Sequence, residues 1–225
     1  MGGESINMQE EFKKFGISKG EEPVGVGAER LVFQHPYDTK KVVALEKLNK
    51  RDSIEARGEY YLTKIMHILF PENIPNIYSY YSKPSASIRQ KVELGASHDV
   101  LRRSAKSMDA ASSAEMFHAF DELNADPRVR NLKKEFDELN IRYDDNVVNF
   151  GINEKGQAQY IEPFHFNAIF YDQSSYNRKF GYDRERLRQA IEKLNNTHKQ
   201  QQAMKFLWRL DVLAAEIKER ADKSR

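Results

Sequence analysis

Asp144, Asn149 and Glu162 carry oxygen atoms of the kind that bind a hard cation such as magnesium, within the stretch RYDDNVVNFGINEKGQAQYIEPF. Asp144 stands five residues before Asn149, and Glu162 thirteen after it. Between them, NVVNFGI and QAQYIEP flank NEKG, a pattern that folds into a hairpin around a glycine turn. Folding back would bring Asn149, before one strand, near Glu162 at the end of the other, with Asp144 on the preceding loop. The chemistry on offer is magnesium binding. A surface hairpin with ordinary polar ends has the same local composition. A metal-dependent nuclease hairpin also places acids on neighbouring strands, but many such sites need a lysine close after the second acid. Here Pro163 and Phe164 follow Glu162. Zinc would ask for histidines or cysteines; the chain has no cysteine, and its six histidines, His165 included, are scattered without ligand spacing.

The elements that must position these residues follow from periodicity. A short helix is expected over residues 5–15, ended by Gly16. Two strands, Arg30–Gln34 and Lys41–Lys47, join through a Pro-Tyr-Asp turn. In SIEARGEYYLTKIMHIL the apolar positions Ile54, Tyr61, Leu62, Ile65, Ile68 and Leu69 recur at helical spacing, and Pro71 supplies the stop. NIYSYYS and SIRQKVEL read as two more strands. Residues 104–113, rich in small side chains, read as a loop, with Ser112 and Glu115 forming a capping box that opens AEMFHAFDELN. A second helix, RVRNLKKEFDELN, repeats FDELN sixteen residues later, which is too little for a repeat architecture. Beyond the hairpin, amphipathic helices are expected over 184–195 and 199–222. Leu187, Ile191, Leu194, Phe206, Leu210, Leu213 and Ile217 supply their apolar faces. The expected fold class is α+β: a strand-rich lobe over 1–90 and a mainly helical lobe over 91–225.

Composition bounds the rest. A chain of 225 residues has room for one large domain or two small lobes, and 40% hydrophobic content supports a core. A formal charge of +2 gives no global argument for nucleic acid or an anionic membrane. No apolar run is long enough to span a bilayer, and no secretory apolar segment opens the sequence. MGGESI misses the myristoylation pattern, because Ser5 comes one place early. The expectation is a cytoplasmic protein.

The spacing of Asp144, Asn149 and Glu162 resembles that of the protein-kinase-like superfamily, whose catalytic loop places an Asp five residues ahead of an Asn. A hairpin there leads to a second metal-binding acid. GVGAERLV (Gly25–Val32) is similar to the family's glycine-rich loop, with Arg30 in place of the third glycine. VVALEK resembles the strand that carries the phosphate-contacting lysine, here Lys47, with Val43 and Leu45 on one face by alternation. The following helix offers Glu59 as the ion-pair partner of Lys47, with Glu55 as runner-up. QKVELG looks like the fifth strand entering the hinge, which puts Glu93 among the nucleotide-binding positions. The resemblance spans about residues 22 to 165. It departs at IRYD, which has no histidine, at EPF in place of D-F-G, and after Glu162, where nothing resembles A-P-E. These departures point to the compact branches, RIO-type or aminoglycoside-phosphotransferase-like.

The resemblance implies a bilobal fold, ATP and Mg2+ as cofactors, and phosphoryl transfer to a hydroxyl of a protein or small molecule. Backbone amides around Gly25 and Gly27 would cover the phosphates, and Lys47, fixed by Glu59, would contact their oxygens. Asp144 would orient the acceptor, and Asn149 with Glu162 would hold magnesium. A pseudokinase is the alternative, favoured by Arg30, the absent histidine and Glu162. A third is a nucleic-acid-associated protein using Arg178, Lys179, Arg184, Arg186 and Arg188 near Tyr176, Phe180 and Tyr182. Asp183, Glu185 and Glu192 interleave with that cluster and favour a solvated helix start.

Overall fold

Alternating apolar residues between turn signals build the first sheet. A computed structural model of the chain describes residues 12–18, 20–26, 30–46, 53–82, 85–95, 101, 110–166 and 181–223. Gly27, Lys47, Tyr176, Arg178, Lys179 and Phe180, together with residues 5–11 and 104–109 of the expected elements, lie outside them. The fold is mixed α and β, with a five-stranded antiparallel sheet, a two-stranded hairpin and several helices. By packing, the chain divides into two compact units, Met1–Ser53 with Ile77–Lys91, and Ile54–Asn76 with Val92–Arg225.

The first unit holds β1 (Gly25–Val26), β2 (Arg30–Gln34), β3 (Lys41–Glu46), β4 (Ile77–Ser82) and β5 (Ser85–Gln90), in the sheet order β1-β2-β3-β5-β4. Val43 and Leu45 share a buried cluster with Phe33, Ile17 and Ala86, as alternation along β3 requires. The β2–β3 turn is closed by Asp38, whose side chain accepts from the Lys40 amide at 2.9 Å. Arg30, at the place of the third glycine, lies opposite Glu46 in the β2–β3 register and donates to its carboxylate at 2.6 Å. That pair is largely buried, so an ion pair occupies a position where a glycine would leave backbone open. The expected helix end at Gly16 holds: Gly16 has φ +73°, and Ile17 donates back to Phe12 at 3.1 Å.

The fifth strand begins and ends earlier than SIRQKVEL suggests. Pairing on both sides fixes β5 over Ser85–Gln90, because Val43 must face Ile88 across β3. Lys91–Leu94 therefore leave the sheet, and Leu94 instead bridges Asn153 of the hairpin.

The second unit begins with α1 (Ser53–Leu69), which runs to the expected stop before Pro71. Its buried face, Ile54, Leu62, Ile65 and Met66, joins a core with Leu132, Phe136, Phe150, Tyr160, Phe164, Leu187 and Leu210. Helix α2 spans Ala110–Ala125, so Ser112 lies inside its first turn rather than at a cap. The alanines before Ser112 are strong helix formers and extend the helix past the capping-box pattern. Helix α3 (Pro127–Glu138) has Asp126 as N-cap and proline in its first turn. Only the second FDELN ends a helix in a left-handed residue. Asn140 has φ 52°, its amide donates to Asp137 at 2.9 Å, and Ile141 donates to Phe136 at 3.0 Å. The first FDELN runs on to Ala125 and stops at the Asp126 cap.

A 3-10 turn (Val147–Asn149) leads into β6 (Phe150–Ile152), which pairs with β7 (Ala158–Tyr160). Helices α4 (Arg184–Glu192) and α5 (Thr197–Lys223) follow close to their expected bounds. No helix among the described residues is long and apolar enough to cross a membrane.

Candidate functional site

The hairpin that carries the site is built by its turn. Gly156 takes φ +74°, and the Asn153 side chain accepts from the Lys155 and Gln157 amides at 3.0 and 2.9 Å. A left-handed residue at that place is what lets NEKG reverse the chain in four residues. The register then sets Phe150 opposite Tyr160, and one step further out the Ile161 amide donates to the Asn149 carbonyl at 2.9 Å. Asn149 and the residue preceding Glu162 are thus joined directly, as the folded-back hairpin requires.

NVVN, ahead of the first hairpin strand, forms a tight turn. The Asn146 side chain accepts from the Val148 amide at 3.2 Å, and its carbonyl accepts from the Asn149 amide at 3.0 Å. Local capping by asparagine outcompetes extension of Val147 and Val148. This turn places Asn149, which is buried, beneath Asp144, and its side-chain amide donates to the Asp144 carbonyl at 3.3 Å. The Asp144 amide donates to the Tyr160 hydroxyl at 3.0 Å, and one Asp144 carboxylate oxygen accepts from the Asn146 amide at 3.0 Å. The Asp144 side chain is exposed.

Tyr143 anchors the same loop from below. Its ring packs edge-on against Phe136, Phe150 and Tyr160, and its hydroxyl lies near the Asp137 carboxylate. Burial, then the negative charges of Asp137 and Asp145, push its phenol well above the ordinary range. Tyr143 is therefore a neutral anchor at any physiological pH.

Residues 163–166 run along α1. The Phe164 amide donates to the Thr63 hydroxyl at 3.3 Å, and the Phe164 ring packs between Phe136 and Tyr160. The Phe166 ring lies on Gly58, so close that a Cβ there would come within 2.1 Å of it. Glu59, buried on α1, has its carboxylate 3.8 Å from His165 Nδ1. A second fastening lies at the other end of the helix. The Asn73 side chain donates to Ala158 at 2.8 Å, the Tyr160 amide donates to the Asn73 carbonyl at 2.9 Å, and Gln157 donates to the Glu72 carboxylate at 2.9 Å. The turn after α1 is thus bonded along the outer side of the hairpin. α1 and the hairpin are held together at both ends.

Asp144, Asn149, Glu162 and Glu59 all lie in the second unit, and Glu162 is partly buried. Glu93 belongs to the same unit and is exposed, one residue before the Leu94 bridge to Asn153. Gly25 lies in the first unit, on β1 opposite Val32. Sequence reasoning passed over Tyr160, Thr63 and Asn73, and named His165 only to set it aside as a zinc ligand. Only His165 carried a signal, its place three residues after Glu162.

Asn149 and Glu162 offer hard oxygen donors, and the bond from the Asn149 amide nitrogen leaves its oxygen as the ligating atom. These residues fit magnesium, which takes one or two protein oxygens and completes its shell with water and phosphate. Among the described residues, no group of three or more His, Cys, Asp or Glu is arranged to hold a metal on protein ligands alone. The described arginines of the basic cluster are matched by acids. Arg184 grips Asp211 through two bonds of 2.7 and 2.8 Å, Arg186 lies 3.6 Å from Asp183, and Arg188 pairs with both Glu185 and Glu192. Compared with known proteins, the chain matches no family model and no curated sequence at a significant level.

Proposed function

We propose that the chain is an atypical kinase-like phosphotransferase that uses ATP and magnesium to phosphorylate a hydroxyl of a protein or small-molecule acceptor. One observation carries this reading. Asp144 and Asn149, five apart in sequence, are bonded to each other, and Asn149 is bonded across the hairpin to the residue before Glu162. A polar surface hairpin has no need to bury an asparagine under an exposed aspartate and lock both in place. The five-stranded sheet, with a helix between its third and fourth strands, is the setting that a bilobal kinase-like fold provides.

In this reading Asp144 orients the acceptor hydroxyl and takes its proton as the oxygen attacks the terminal phosphoryl group of ATP, with ADP leaving. Asn149 and Glu162 hold magnesium, which supplies charge neutralisation at the phosphates. Lys47 contacts phosphate oxygens, Gly25 and Gly27 offer backbone amides, and Glu93 lies at the hinge. Glu59 is the partner that the resemblance assigns to Lys47, and His165 lies 3.8 Å from that carboxylate. Phosphoryl transfer asks the protein for positioning and electrostatics, which is what a doubly fastened hairpin provides.

A pseudokinase, acting by interaction rather than turnover, is the second reading. The buried Arg30–Glu46 pair at the third-glycine position favours it. Thermal unfolding with ATP, with and without magnesium, tests both readings, because a ligand bound only by the native state raises its stability. The enzyme reading predicts a rise in Tm with Mg-ATP that shrinks in EDTA, together with phosphate transfer to an acceptor or to the protein itself. A rise without transfer would favour the pseudokinase, and no rise would remove nucleotide from the account.

A further inference from the structure

A cavity of about 150 Å³ opens between the C-terminal half of α1 and the N-terminal half of α5, lined by Lys64, His67, Asn76, Lys199, Gln202 and Phe206. It lies wholly within the second unit, on residues that the phosphotransferase reading does not use. Its polar lining consists of two lysines, a histidine and two amides, with no carboxylate. Neither lysine pairs with a carboxylate among the described residues. Lys64 is held in place by its bond to the Asn76 side-chain oxygen at 2.9 Å, and burial pushes its ammonium below the ordinary lysine range. His67 Nδ1 lies 2.6 Å from the Ile74 carbonyl, an acceptor, so that nitrogen carries the hydrogen. Burial first, and then the charges of Lys64 and Lys199, push the His67 ring below its ordinary value.

A half-buried ammonium in a lining that holds a second lysine and no carboxylate costs stability unless an anion offsets it. The lining has donors for several oxygens of one ligand and an apolar wall in Phe206, in a volume that admits a small tetrahedral ion. We propose that this cavity binds a small phosphate-bearing anion, with Lys64 and Lys199 supplying the charge and Gln202 a neutral donor. The proposal stands whether or not the chain transfers phosphate.

Calorimetric titration of the full chain with inorganic phosphate and with methyl phosphate, at an ionic strength held constant with chloride, tests it. Wild type is expected to bind phosphate saturably, and Lys64→Met and Lys199→Gln each to bind at least tenfold more weakly. Without ligand, Lys64→Met should unfold at the wild-type temperature or above, since a half-buried charge is removed. Tighter binding of methyl phosphate would support an organic monoester using the Phe206 wall; tighter inorganic phosphate would support the free ion. Lys199 is exposed, so its variant keeps the test open even if Lys64→Met fails to fold. Absence of saturable binding, or equal binding by wild type and both variants, would overturn the proposal.

Discussion

Asp144 is fixed through its backbone on both sides: its amide donates to Tyr160 and its carbonyl accepts from Asn149. One carboxylate oxygen is occupied by the Asn146 amide, which leaves the exposed side chain oriented rather than free to rotate. If it orients the acceptor, Asp144→Asn should leave nucleotide affinity within about twofold while turnover falls roughly 10²–10⁴-fold, the usual contribution of a positioned base. Unchanged turnover, measured under saturating nucleotide, would mean that another residue takes the proton. Gly58 makes a different kind of demand. The Phe166 ring occupies the space a Cβ would need, so Gly58→Ala should destabilise the protein by about 1–3 kcal/mol through overpacking, despite alanine's better helix propensity. Urea unfolding checks this; a more stable variant would show that Phe166 gives way at no cost.

At the scale of elements, the end of α3 aims the chain into the site. Asn140 in its left-handed conformation lets Ile141 fold back on Phe136, and Tyr143 and Asp144 follow from there. Asn140→Val should cost about 1–2 kcal/mol, because a β-branched residue is strained at positive φ, whereas Asn140→Gly should cost little. Equal thermal stability of the two variants would contradict that account. The elements themselves were legible wherever one period ran uninterrupted: β2, β3, α1, α3 and the two last helices match their expected spans closely. Legibility failed where local pattern met a competing force. Ser112 and Glu115 make a good capping box, but the helix starts further upstream on alanines. SIRQKVEL is apolar enough to continue as a strand, but its register is set by partners on both sides. In the candidate site, the folding back of the chain at NEKG was legible because the hairpin is local, and it joins Ile161 to Asn149 as the spacing requires. The fastening of that hairpin was invisible, since Asn73 meets Ala158 across 85 residues and Thr63 meets Phe164 across 101. No local periodicity encodes such pairs.

For the molecule as a whole, the near-balanced charge of +2 and the acid-matched arginines of α4 give little electrostatic reason to seek a nucleic-acid partner. Asp144, Asn149 and Glu162 lie in one packing unit and Gly25 in the other. The central claim is that Asn149 and Glu162 hold a magnesium ion for a bound nucleotide. Glu162→Gln keeps the size of the side chain and removes its charge, so it separates metal binding from packing. Calorimetric titration of ATP into wild type and Glu162→Gln, in magnesium and again in EDTA, reads the claim directly. The variant should bind at least tenfold more weakly in magnesium and almost as well as wild type in EDTA; equal affinity in magnesium would contradict the account.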